Sequence, residues 1–114
     1  MTELAALDDI ISAAKAGETC RVHIERMSAQ AGLAEAGSIY GAAYQDDLNA
    51  MRIVHKALLP EWTYSISEWE SDSPMATVFA PGGRGSVRST DTMVTARNWL
   101  IAALQAHRST LVAS

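Results

Sequence analysis

At 114 residues, with 48% hydrophobic and 19% charged residues, the chain matches one globular domain with a core of its own, which excludes wholesale disorder. A formal net charge of −4 argues against the basic face that nucleic-acid binding requires, and a single cysteine, Cys20, excludes an internal disulfide framework and fits a reducing compartment. No apolar run approaches the roughly 20 residues of a membrane helix, and Glu3, Asp8 and Asp9 stand where a secretory leader would be positive. The expectation is a cytoplasmic protein that contacts neither nucleic acid nor membrane.

Residues 1–31 read as two helices. Thr2 to Ala16 carries Leu4, Leu7, Ile11 and Ala14 on one stripe, with acidic residues early, as the helix dipole prefers, and Gly17 as a stop. The segment 20–27 alternates like a strand, yet Cys20, Ile24, Met27 and Ala31 also make a helical stripe; Thr19 as N-cap and Gly32 as stop favour the helix. Residues 32–43, rich in Gly and Ala, read as a loop with at most one turn of helix near Leu33 to Ala36. A helix then spans 44–59, capped by Asp46 or Asp47, with Leu48, Met51, His55 and Leu58 inward and Pro60 as its end.

Residues 62–89 form three short strands, near 62–69, 76–80 and 86–89. An acidic turn joins the first two, and the glycine-rich hairpin loop Pro81 to Gly85 joins the last two. Such short connections allow only antiparallel neighbours. The last helix, 91–111, is apolar on several sides and so calls for burial. Both faces of the middle strand, ATVFA, are largely apolar and ask for cover on both sides. The fold class expected is α+β: one domain, 1–114, with a three-stranded antiparallel meander covered by the N-terminal helices and the C-terminal helix, an α-β-α sandwich.

In PEWTYSISEWE, Trp62, Tyr64 and Ile66 share one side of a strand, whereas Trp69 falls on the polar side between Glu68 and Glu70. A β-bulge near Ser67, or a helix over the second face, would bury Trp69. An exposed Trp69 would instead anchor a partner, rimmed by Glu68, Glu70 and Asp72.

The runs YQDDLNAM (44–51), LPEWTYSI (59–66) and LIAAL (100–104) resemble small phage- and prophage-encoded proteins of the phage ABA (α-β-α) sandwich domain family. The resemblance covers about residues 44–106; Thr92 to Asn98 departs from the family's usual Thr-Pro opening of the last helix. It implies a viral or prophage origin and a sheet between helices, and it carries no catalytic residues.

Other constellations have plainer readings. Cys20 and His23 make half a metal site at most, since zinc wants about four ligands, and Asp46-Asp47 is a cap short of the oxygens a divalent cation needs. Cys20, His55 and Asp46 make a triad only on paper, without a nucleophile motif. PGGRGSVR lacks the P-loop lysine and leads into a strand, so its glycines serve a turn, which leaves Arg84 and Arg88 to meet acidic groups on a partner. Met51 and Met93 read as core.

No catalytic residue, cofactor or metal is expected. The functional expectation is a non-enzymatic phage- or prophage-type accessory protein that binds a host, host-defence or phage protein through Glu68, Trp69, Glu70, Asp72, Arg84 and Arg88. Homodimerisation is a second expectation, because a three-stranded sheet has edges that must be covered or paired. A virion or assembly role, and last a small enzyme, are the alternatives.

Overall fold

The computed structural model describes residues 3–16, 21–33, 36–44, 47–67, 74–90 and 95–113. In chain order its elements are α1 (Glu3–Ala16), α2 (Arg21–Gln30), α3 (Ala36–Tyr44), α4 (Leu48–Leu58), β1 (Thr63–Ser67), β2 (Met75–Phe79), a 3-10 turn (Pro81–Gly83), β3 (Ser86–Ser89) and α5 (Thr95–Ala113). The class is α+β, with one three-stranded antiparallel sheet in the order β1-β2-β3.

The helical reading of 20–27 holds from Arg21 onward. The loop expected over 32–43 does not: Ala36–Tyr44 is helical. Glycine in a helix costs about 1 kcal/mol relative to alanine, which is why composition alone suggests a loop. Here the small residues sit inside. Ile39, Gly41 and Ala42 are buried, and α3 packs against α2, α4 and α5, so tertiary burial overrides weak local propensity.

Asp47 caps α4, its side-chain oxygen accepting from the Ala50 amide at 3.0 Å. The inner stripe is Ala50, Met51, Val54 and His55. Leu48, expected inward, is 37% exposed. It is the first helical residue, and the stripe that meets the core begins at Ala50. The glycines of the hairpin loop do serve the turn, since Gly82, Gly83 and Gly85 all have positive φ.

The layers are stacked differently from a sandwich. Register pairs Tyr64 with Val78, Ile66 with Ala76, Val78 with Val87 and Ala76 with Ser89, so these side chains share one face. That face lies on α5, which makes the principal helix–sheet contacts. Helices α1, α3 and α4 pack on the other sides of α5. Leu100, Ile101, Ala102, Ala103 and Leu104 are accordingly all buried, as an all-round apolar helix requires. The order is sheet, α5, then the N-terminal helices. The second sheet face bears Thr63, Ser65, Phe79, Ser86 and Arg88, all exposed, around Thr77, which is buried between its strand neighbours; among the described residues the cover expected on both faces is found on one.

Asn98, fully buried on α5, ties this stack together. Its Nδ2 donates to the Pro74 carbonyl at 2.8 Å, just before β2, and its Oδ1 accepts a long bond from Ser89 Oγ at 3.5 Å, at the end of β3. Asn98→Ala strands the Pro74 carbonyl and should cost about 1–3 kcal/mol. The check is a lower urea midpoint with an unchanged slope. By contrast, the Arg108–Asp8 pair between α5 and α1 joins two exposed side chains at 2.6 Å and is worth about 1 kcal/mol at most.

Candidate binding surface

Four of the six expected partner-binding residues, Glu68, Trp69, Glu70 and Asp72, lie outside the described residues. Cys20, Asp46 and Met93 lie outside them too, as does the side chain of His23. Among the described residues no group of three or more His, Cys, Asp or Glu is placed to hold a metal ion. No helix among them is long and apolar enough to cross a membrane.

Among the described buried polar residues His55, at 4% exposure, is the one that titrates near neutral pH. The Trp99 indole N–H, which can only donate, lies 3.1 Å from its Nδ1. Nδ1 is therefore the acceptor and the neutral ring carries its hydrogen on Nε2, which donates to the Trp62 carbonyl at 2.9 Å. Tyr64 meets His55 edge-on at 5.0 Å and lies on Trp99 at 4.2 Å. Burial holds the His55 pKa below its usual 6.5, partly opposed by the bond to Trp62. Both ring nitrogens are committed to the fold, so the imidazole has neither a lone pair nor a proton to offer a substrate. It clamps the α4–β1 connection to α5.

The two remaining expected residues are on the surface. Arg84 follows the 3-10 turn and, with Glu61, Pro81 and Gly82, lines a shallow open depression of about 340 Å³. Arg88 stands on β3 opposite Thr77. Phe79, in the strand for which the sequence asks cover on both faces, pairs with Ser86 on that same face and is 41% exposed. Residues one step apart diagonally across an antiparallel pair lie about 7–8 Å from each other, so Phe79 and Arg88 form one patch. Their neighbours Thr63, Ser65 and Ser86 are short and polar. The patch joins an aromatic ring to a cation on the exposed side of the sheet. The expected loop did not signal it: a loop over Pro81 to Gly85 would set Phe79 opposite Val87, on the other side from Arg88, and only the observed register, with Phe79 opposite Ser86, brings the two together.

No protein-family model matches this chain, and no curated protein or solved structure matches it either.

Proposed function

We propose that this protein is a non-enzymatic binding protein of the phage or prophage accessory type, and that it engages a host, host-defence or phage protein through the open face of its sheet. The observation that carries this reading is Phe79, 41% exposed beside Arg88 on a sheet face that no described helix covers. Aromatic residues and arginine are the side chains most often found as anchors in protein interfaces, and a half-exposed phenylalanine gains apolar burial when a partner covers it. Arg88 places positive charge on this face of an otherwise acidic chain, with Arg84 in the adjoining hairpin loop, so the complementary partner surface is acidic. Glu68, Trp69, Glu70 and Asp72, outside the described residues, are kept in the proposed contact because they follow β1 directly in the chain. The site of action that fits a single-cysteine, acidic chain is the bacterial cytoplasm.

The test is affinity purification from infected or lysogenic cells with the wild-type chain and with Phe79→Ala and Arg88→Glu. Each substitution should weaken capture of the partner about tenfold or more, the effect of losing an interface anchor. Both positions are exposed, so the circular dichroism spectrum should not change. A partner held equally well by both variants would place the contact elsewhere.

A further inference from the structure

The outer edge of β1, which pairs with no other described strand, carries an inference independent of the open face. The Ala80 amide donates to the Gly85 carbonyl at 2.8 Å, which sets the phase of the antiparallel ladder. Counting back in twos, the backbone groups of Val78 and Ala76 point to β3, and those of Phe79, Thr77 and Met75 point to β1. On β1, Thr63, Ser65 and Ser67 therefore bond to β2, and the N–H and C=O groups of Tyr64 and Ile66 point outward from the sheet.

Most edge strands are guarded by a charge, a proline or a bulge. Strand β3 has Arg88, whereas β1 reads TYSIS and has none of these. A chain of net charge −4 repels its own copies, and β1 is a charge-free strip on which two copies approach without that repulsion. We propose that β1 pairs antiparallel with β1 of a second copy, the twofold axis passing beside Ser65, to make one continuous six-stranded sheet.

The register follows from self-complementarity. With the axis at Ser65, Tyr64 of each copy faces Ile66 of the other, and these are the two residues whose backbone groups point outward. All five residues of β1 find a partner. Shifting the axis to Tyr64 or Ile66 leaves part of the strand unpaired. On the helical face the pairing places an aromatic ring against a β-branched side chain twice, and Tyr64, 39% exposed, is the side chain it covers. On the other face Thr63 meets Ser67 and Ser65 meets Ser65, pairs that hydrogen-bond across strands. An edge contact of this length falls among the small, transient interfaces, so the dimer forms at high concentration.

Sedimentation of the purified chain at about 100 µM should give a species of twice the 12.2 kDa monomer, dissociating on dilution. Ser65→Lys and Ser65→Asp each set two like charges directly opposite and should give monomers, and mixing the two variants should restore the dimer. In a Cys20→Ser background, Ser65→Cys should oxidise to a covalent dimer, because residues facing each other across a non-hydrogen-bonded pair have Cα atoms about 4.5 Å apart. Ser67→Cys, which faces Thr63, should not. The cysteine variants keep a small uncharged side chain and decide the matter even where a charged variant fails to fold. A monomeric wild type at that concentration overturns the proposal. So does a dimer that survives both charged variants, or equal crosslinking at 65 and 67. Each of these outcomes leaves the open-face reading standing, because purified chain alone does not engage that partner.

Discussion

Replacing Trp99 by alanine is expected to bring the protein to the edge of unfolding at 25 °C. The side chain is 1% exposed on the central helix α5, at the junction of the sheet, α4 and α5. Truncating a buried tryptophan costs about 3–5 kcal/mol through lost burial and the cavity left behind. The same change removes the indole N–H from His55 Nδ1 and leaves a buried acceptor without its partner, which adds about 1–3 kcal/mol. These losses overlap, because removing the ring lets water reach the imidazole. Even so, their combined size approaches the whole stability of a small domain, about 5–15 kcal/mol. Trp99→Phe separates the two effects: it retains much of the apolar contact with Tyr64 and loses the hydrogen bond. Urea unfolding followed by far-ultraviolet circular dichroism should rank the chains as wild type, then Trp99→Phe, then Trp99→Ala. A Trp99→Ala protein with a wild-type midpoint would mean that the aromatic cluster is peripheral to the fold.

What the sequence conveyed of this fold depended on whether a residue's role was set locally. Alternation in TYSIS sets side-chain direction at each position, and Tyr64 and Ile66 do face the core side as that pattern requires. The cap at Asp47 and the positive-φ glycines of the hairpin loop are likewise matters of a few adjacent residues. Helix α3 escaped that reading because its propensity is poor and its stability comes from what packs on it. Phe79 escaped for a related reason. Apolar residues on both faces of a strand state that cover would be favourable, but whether a second layer supplies it is decided elsewhere in the chain. Here α5 sits between the sheet and the other helices and leaves the second face open. Arg84 and Arg88 were legible as exposed cations, whereas their aromatic companion needed the register. The role of His55 was invisible at sequence level, since Trp99, its hydrogen-bond donor, is 44 residues away.

That imidazole makes acid the condition under which the fold should weaken first. In the native state burial lowers the His55 pKa below 6.5, and in the unfolded chain it returns to about 6.5. Between those two values the unfolded chain binds a proton that the native one refuses, so unfolding becomes easier as pH falls. The contribution is fully present above about pH 6.5 and is lost progressively on acidification until the native pKa is reached, where the loss levels off. Within that window the slope for this one group is at most about 1.4 kcal/mol per pH unit. The geometry explains why the native state resists the proton: Nδ1 is the nitrogen that would receive it, and the Trp99 N–H already points there. Protonation would set two donors against each other in a buried site. Urea midpoints taken across pH 5–7.5 should therefore fall on the acid side, and His55→Gln should flatten that dependence while lowering stability at pH 7.5 by about 2–4 kcal/mol, the cost of breaking a buried hydrogen-bonded cluster. Nitrogen-15 spectra supply the independent check. His55 should show a protonated Nε2 and an unprotonated Nδ1 at neutral pH, and it should not titrate with the exposed-histidine midpoint near 6.5. A His55 that titrates there with no change in tautomer would mean that the clamp between Trp62 and Trp99 is open in solution.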